Sequence, residues 1–205
     1  MKCPRCGLIV TDQLPKCQGC GFSIRDLDRR MGQMPERVGF VNDFAKLLPT
    51  EEKARVEGRL SQFHQRCPIG SDEHGGEIVL VTVNSTKPIK PSEYVFWLFN
   101  RWNVGGDAHA GLLILLAWEE RRIECEVGYS WEHIISDVES GEVLDAHVVP
   151  LLKAGKIAEA LERAVEQFVN IIEQARLSDP QNGTVASPVE ELSESETASN
   201  GGETQ

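Results

Sequence analysis

The sequence predicts an α/β fold in which a small mixed sheet has helices on its faces and a small cysteine-rich module precedes it. Two observations support this. Apolar, β-branched segments alternate along the chain with amphipathic helical segments, and that order produces right-handed crossovers between parallel strands. In addition, four of the six cysteines lie in two Cys-x-x-Cys pairs within the first 20 residues.

Residues 1–24 are predicted to be a zinc ribbon. Its two halves begin at residues 3 and 17, read CPRCG and CQGCG, and are separated by ten residues. Each final glycine permits a tight turn that points backbone N–H groups at the sulfur atoms. Four thiolates complete a closed tetrahedral site typical of structural zinc, with iron in a rubredoxin-like site or a redox dithiol pair as alternatives. The predicted ligands are Cys3, Cys6, Cys17 and Cys20.

Residues 25–37 have the composition of a linker, because charged side chains are interrupted by one glycine and one proline. A short helix is compatible with this segment but would have little to pack on. The predicted α/β domain covers residues 38–176 and starts with an extended segment. Its next elements are a helix at Glu51–Arg66, a strand at Glu77–Val83 and a helix at Ser92–Trp102. The strand is mostly apolar and β-branched, as expected when both its faces are covered.

The rest of the domain is predicted to be a hairpin followed by helices. The first hairpin strand is apolar throughout, and the second alternates polar and apolar residues. Residues 177–205 hold six acidic residues and neither Lys nor Arg, and are predicted to be a disordered acidic tail. The hairpin strands are Leu112–Trp118 and Arg121–Val127, and the helices are Trp131–Val138, Val143–Leu152 and Ile157–Arg176.

The composition and charge of the chain disfavour some classes of protein. The formal net charge of the 205-residue chain is −11, which disfavours a duplex nucleic acid binder with a general basic surface. The longest apolar stretch, Ala110–Trp118, is half the length that a bilayer-crossing helix needs, so no transmembrane anchor is predicted. The start of the chain goes straight into cysteines without an apolar signal region. A cytoplasmic location is therefore expected, where reduced thiols favour metal binding over disulfides.

Carboxylates at the ends of elements are the remaining candidates for chemistry, because the familiar phosphate-binding, metalloprotease and nucleophile-elbow motifs are absent. A hairpin returns its second strand to the start of the first, so Asp107, Glu132 and Asp137 are expected at one rim of the sheet. Converging carboxylates would suit Ca²⁺ or Mg²⁺. Asp43 is harder to place with them. Each carboxylate taken alone is also readable as a solvated cap or a surface charge.

Six stretches, in order, resemble the TPM domain family over about residues 38–175. They are Val41–Leu48 with the charged helix that follows, Glu77–Asn84, Trp102–Gly105, Gly111–Ala117, Val127–Glu132 with Asp137 five residues on, and Leu152–Lys156 between the closing helices.

The resemblance implies a three-layer α/β/α sandwich with a small mixed sheet. It also implies a crevice that binds Ca²⁺ or another divalent ion and, for some members, acid phosphatase activity. Carried over residue by residue, Asp43, Glu132 and Asp137 match recurring acidic positions of the family. Asp107 lies in the corresponding loop, and its assignment rests on the hairpin geometry.

Two functions are compatible with these features. In the first, the protein is an adaptor, or an assembly or quality-control module, whose zinc ribbon docks an unknown protein partner. In the second it is a phosphatase, in which a carboxylate-held divalent ion polarises a phosphate ester and activates water. Only Arg101 lies near the motif loops as a cationic clamp, which favours the adaptor. A third alternative is a role linked to nucleic acid through the basic residues Arg25, Arg29, Arg30 and Arg37.

Overall fold

The sheet of the computed structural model has four strands in the order β1-β2-β3-β4, and the structure describes residues 3–9, 16–67 and 76–178. The first three strands are parallel and β4 runs antiparallel to β3. This is the mixed sheet that the sequence predicts. The strands are β1 (Val41–Asp43), β2 (Glu77–Val83), β3 (Gly111–Ala117) and β4 (Arg122–Val127).

Helices precede, connect and follow the strands, and two short 3₁₀ turns flank the hairpin. None of the described helices combines the length and the apolar character needed to cross a bilayer. The helices are α1 (Ile24–Met31), α2 (Thr50–Arg66), α3 (Pro91–Arg101), α4 (Asp137–His147), α5 (Val149–Lys153) and α6 (Ile157–Ser178). The 3₁₀ turns are Gly106–Ala108 and Tyr129–Trp131.

Both faces of the sheet are buried, which makes the three-layer α/β/α sandwich. Because side chains alternate along a strand, Leu112 and Ile114 of β3 pack in the cluster that contains α2, α4 and α6. Leu113 and Leu115 pack on the opposite face, in the cluster that contains α1 and α3. The apolar run of β3 therefore reflects burial on two sides.

The segment predicted to be a linker contains a packed helix. Leu27 of α1 is fully buried, and Asp28 accepts a hydrogen bond from the indole N–H of Trp97 at 2.9 Å and pairs with Arg101. Ser23 caps the start of the helix, and its backbone N–H and hydroxyl both donate to Asp26. The expectation that a helix here would have little to pack on was wrong, because α3 offers a large apolar surface.

The helices after the hairpin begin at other residues than predicted. Instead of Trp131–Val138 and Val143–Leu152, the structure has α4 and α5. Ser136 ends the preceding turn and exchanges hydrogen bonds with Glu139, which sets the start of α4. The last helix, α6, continues to Ser178, and the rest of the predicted disordered tail lies outside the described residues.

Candidate metal centre and the acidic edges

The sulfur atoms of the four predicted ligands converge on one point. The Sγ atoms of Cys3 and Cys20 are 3.7 Å apart, as are those of Cys6 and Cys17, and all four lie within 4.8 Å of one another. A separation of 3.7 Å is too long for a disulfide, in which the sulfurs are about 2.05 Å apart. It matches the edge of a tetrahedron with metal–sulfur bonds of about 2.3 Å. The cluster can therefore hold a metal ion such as zinc.

The two halves of the cluster fold alike. The backbone N–H of Gly7 donates to the carbonyl of Cys3 at 2.8 Å, and that of Gly21 donates to the carbonyl of Cys17 at 2.8 Å. Gly7 and Gly21 have φ angles of 74° and 71°. Glycine adopts this left-handed conformation without the steric cost that a β-carbon adds. The repeated glycine thus closes each loop around its pair of sulfur atoms.

The metal-free thiols do not share one acidity. The backbone N–H of Cys20, foremost, lowers the pKa of Cys17 to about 7. The backbone N–H of Phe22 pulls the pKa of Cys20 down, but burial and the neighbouring thiols outweigh it and raise that pKa to about 12. Four thiolates this close repel one another, so the ionised cluster needs a cation at its centre.

The cysteine module packs directly against α3. Arg5 donates to the carboxylate of Glu93 at 2.7 Å, and that residue is only 3% exposed. The guanidinium of Arg5 also lies 4.7 Å above the ring of Phe22, which packs edge-on against Phe96 with ring centres 5.8 Å apart. Cys3 and Cys17 belong to the same buried cluster as the α3 face of the sheet. Module and domain therefore share one core.

Asp43 lies at the carboxyl end of the parallel strands, whereas the other predicted carboxylates belong to segments at the opposite end of the strands. It ends β1 level with Thr82, near the carboxyl end of β2. Its two oxygens accept hydrogen bonds from the backbone N–H groups of Leu47 at 2.9 Å and Leu48 at 3.0 Å, and the Thr82 hydroxyl also donates to it. Asp43 is thus engaged in closing its own loop.

Asp107, Glu132 and Asp137 belong to the segments that flank the start of β3 and the end of β4. We call this end of the sheet the acidic edge. Leu112 pairs with Val127, so the end of β4 lies beside the start of β3 as the hairpin predicts. These residues nevertheless do not form a metal-ligand group. Across residues 3–9, 16–67 and 76–178, the four cysteines are the only group of three or more His, Cys, Asp or Glu ligand atoms within such reach. The described residues therefore contain no preassembled group of carboxylate ligands for Ca²⁺ or Mg²⁺.

Sequence reasoning missed Glu126, which interacts electrostatically with this edge. Burial foremost, together with the charges of Asp137 and Glu132, raises its pKa to about 8. Glu126 is paired with Leu113 across the hairpin and so points toward the α3 face. The signal was present in the sequence, because the alternation of β4 places a carboxylate opposite an entirely apolar strand.

Glu77 was also missed, and it organises the glycine-rich loop. Its carboxylate accepts a hydrogen bond from the backbone N–H of Gly105 at 2.7 Å and pairs with Arg37 at 2.6 Å. A β-carbon at Gly105 would lie 2.4 Å from the backbone nitrogen of Gly111, so only glycine fits. Arg30 is also engaged within the chain, because its guanidinium donates a hydrogen bond to the carbonyl of Pro88 at 2.6 Å.

The fold and the site define a class: an α/β/α sandwich with a cysteine cluster able to bind metal. A sequence profile described as the TPM domain matches residues 41–171. The chain belongs to the TPM domain family. None of the curated protein sequences matches it.

Solved structures share the fold. The N-terminal domain of a P. gingivalis protein has a TM-score of 0.58 and 24% identity, covering 66% of this chain and 83% of that one. The N-terminal domain of the cg2496 protein from Corynebacterium glutamicum has a TM-score of 0.50 and 13% identity, covering 78% and 95%. The BA42 protein from Bizionia argentinensis has a TM-score of 0.50 and 16% identity, covering 62% and 82%.

Proposed function

We propose that this protein is a zinc-containing adaptor whose metal-held module presents an apolar surface to a protein partner. Zinc is supported by the donor set, because four thiolates in a closed tetrahedron leave no position for water and make a structural site. The sulfur separations of 3.7 Å suit that ion. Iron in the same four-sulfur geometry is the alternative. Elemental analysis of protein purified under reducing conditions distinguishes the two metals.

The observation that carries the adaptor function is the exposure of two adjacent apolar side chains on the module. Leu8 is 46% exposed and Ile9 is 78% exposed, whereas Cys3 in the same loop is buried. Single exposed apolar residues are common, but these two are neighbours. Covering them would supply about 25 cal/mol for each Å² of apolar area removed from water. We call Leu8 and Ile9 the apolar tip.

The base of the module makes the apolar tip a suitable docking surface. The Arg5 pair with Glu93 and the edge-on contact of Phe22 with Phe96 fix the module against α3. A partner that binds a fixed surface does not have to order it first, so less conformational entropy is lost on binding. The metal cluster and the α3 contact together support the proposed role.

Replacing Ile9 with glutamate tests the adaptor function. We expect Ile9→Glu to keep one bound metal per chain and an unchanged melting temperature, and to reduce recovery of the partner at least tenfold in cross-linked co-purification. The matched control is Val38→Glu, which introduces the same charge at a residue outside the module that is 82% exposed. Equal recovery of the same partner by wild type and Ile9→Glu would contradict the proposal.

A phosphatase is the second candidate, and the raised pKa of Glu126 beside Glu132 and Asp137 favours it. A carboxylate kept protonated by burial and by neighbouring carboxylates marks a place where a divalent cation would offset the negative charge. In this alternative Ca²⁺ or Mg²⁺ is held by Glu132 and Asp137, with Asp107 as the further ligand that the hairpin predicts, and activates water for attack on a phosphate ester.

The two candidates differ in turnover. For a phosphatase, Glu132→Ala combined with Asp137→Ala abolishes divalent-ion binding and hydrolysis of an aryl phosphate, and Glu142→Ala, an exposed carboxylate of α4, changes neither. For an adaptor, all three proteins show background hydrolysis. Metal-dependent turnover that only the double variant loses would favour the phosphatase.

A further inference from the structure

A groove of about 990 Å³ opens beyond the carboxyl end of β3. It lies between the β3–β4 turn and α5, and Trp118, which is 44% exposed, lines it. Ligands of α/β folds commonly bind beyond the carboxyl ends of parallel strands. The groove contacts the sheet through Leu116 and Ile123, which pack with α2, α4 and α6. It is therefore on the opposite face of the sheet from the cysteine module.

Three cationic side chains line the groove: Arg121, Arg122 and Lys153. Arg122 forms an ion pair with Glu124 at 3.0 Å. In the part of the chain that the structure describes, neither Arg121 nor Lys153 has an ion-pair partner, and both are exposed. Two unpaired cations beside an exposed indole favour an anionic ligand with apolar parts.

Two carboxylates also line the groove, and they do not cancel its positive charge. Glu119 has an ammonium partner, because its carboxylate lies 3.8 Å from Nζ of Lys87. Asp145 of α4 is exposed at the other side of the groove. Among the lining side chains that have no salt bridge within the described part of the chain, one is anionic (Asp145) and two are cationic (Arg121 and Lys153). The groove is therefore cationic overall.

We propose that this groove binds the acidic segment 189–196 of the same chain. That segment reads VEELSESE, so four carboxylates accompany one valine and one leucine. Residues 177–205 as a whole carry six acidic residues and neither Lys nor Arg. The carboxylates complement Arg121 and Lys153, and the two apolar side chains match the exposed face of Trp118.

The chain is long enough for this contact. Gly155 lines the groove two residues before α6, and the 22 residues of α6 separate it from Ser178. A helix of that length spans about 33 Å at 1.5 Å per residue. Twelve residues lead from Ser178 to Glu190, and an extended chain of that length reaches about 40 Å. A tethered segment of this kind has an effective concentration in the millimolar range, so a weak intrinsic affinity suffices.

This contact adds a function to the protein beyond docking by the apolar tip. A segment that occupies the groove competes with any other anionic ligand, such as an acidic peptide of another protein. The attraction is between exposed charges, so it weakens as salt shortens the screening length from about 14 Å at 50 mM to about 4 Å at 500 mM. The contact is therefore an intramolecular, salt-sensitive competitor for the groove.

Backbone amide and indole NMR shifts of the full chain test the proposal. At low salt we expect the shifts of residues 118–122 and 149–155 to differ between wild type and a variant with Glu190→Gln, Glu191→Gln, Glu194→Gln and Glu196→Gln, and the difference to disappear at high salt. We expect Arg121→Glu combined with Lys153→Glu to remove the salt dependence of the groove shifts, as the four glutamine substitutions do. The control Arg163→Glu, a charge reversal on the surface of α6, leaves the salt-dependent shifts of the groove unchanged.

A synthetic peptide of residues 186–198 completes the test. Added to the four-glutamine variant at low salt, it restores the wild-type shifts in the groove. Identical groove shifts in wild type and variant at low salt would overturn the proposal. A difference that grows with protein concentration would also overturn it, because the segment would then bind a second copy of the chain.

Discussion

The cysteine module and the acidic edge of the sheet hold their possible metal ligands in different ways. In the module, two loops closed by 2.8 Å backbone hydrogen bonds bring four sulfur atoms within 4.8 Å of one another. At the acidic edge, Asp107 and Asp137 belong to segments separated by the whole hairpin. Among the described residues, no three carboxylates approach as closely as the sulfurs do. One site is assembled by local chain closure, and the other depends on tertiary placement.

The two regions differ in the electrostatic repulsion between their possible ligands. Thiols can stay protonated until a metal displaces the protons, so four of them can be preassembled without a cation. Carboxylates are ionised near neutral pH and repel at short range. Glu126 shows the consequence, because burial beside two other carboxylates holds its pKa at about 8. Local geometry is therefore a stronger predictor of a thiolate site than of a carboxylate site.

Removing the metal has the largest expected effect. Cys6→Ser or Cys20→Ser loses a ligand, and binding of structural zinc contributes about 10–16 kcal/mol in small zinc-dependent peptides. Because Phe22 and Cys3 lie in the core under α3, we expect the melting temperature of the whole domain to fall by more than about 5 °C. Calorimetry and metal analysis measure both effects. The control Cys125→Ser keeps one metal, and an unchanged melting temperature after metal loss would show that the module is independent.

A substitution of Glu93 tests the contact between the cysteine module and α3 while all four sulfur atoms stay in place. Glu93→Ala leaves the guanidinium of Arg5 partly buried and also removes the 3.8 Å pair of Glu93 with Arg30, and we expect a loss of about 2–3 kcal/mol in the free energy of unfolding. Urea titration measures the loss, and hydrogen exchange shows whether residues 3–9 and 16–22 become less protected. Glu124→Ala, which removes the partner of Arg122, costs less than about 1 kcal/mol as a matched exposed pair. Equal losses in both variants would contradict a special role for this contact.

The pH dependence of stability probes the acidic edge. The pKa of Glu126 is raised from its ordinary 4.5 to about 8, so between these values the folded chain retains a proton that the unfolded chain releases. Its contribution is therefore complete below about pH 4.5 and is lost as the pH rises toward 8. Glu126→Gln removes this loss and stabilises the protein at pH 8 by roughly 1–3 kcal/mol. Urea titrations at pH 5 and pH 8 measure it, and an identical pH slope in the variant would refute the assignment.

The smallest expected effect is the loss of unfolding free energy in Asp43→Asn, which is compared with that of a residue of the acidic edge. Asp43→Asn weakens its hydrogen bonds to the backbone N–H groups of Leu47 and Leu48, and we expect a loss of about 1–2 kcal/mol in unfolding free energy. Asp107→Asn changes an exposed side chain and costs less than about 0.5 kcal/mol. Neither change alters the affinity for Ca²⁺ measured by calorimetric titration if the two residues do not share a site. A loss of Ca²⁺ affinity in Asp43→Asn would show that they do.

Much of the fold followed from local patterns. The strand Glu77–Val83 has the predicted bounds, and β3 and β4 differ from their predicted ranges by one residue, because apolar burial and alternation are visible residue by residue. The packing of α1 was not predicted, since its partners on α3 lie 69 and 73 residues away in sequence. Glu93, the partner of Arg5, could not be found for the same reason.

From the sequence we predicted the cysteine cluster and a mixed sheet with helices on its faces, because both depend on spacing within one segment or on the period of apolar residues. The resemblance to the TPM domain family implied the three layers. The tertiary structure decided where Asp43 lies, and that the carboxylates of the described residues do not converge as one group of ligands. The parallel pairing of β1 with β2 places Asp43 at the carboxyl edge, and the hairpin keeps Asp107 and Asp137 at the other edge. Strand direction sets which side chains can meet, and it is a property of the whole sheet rather than of any segment.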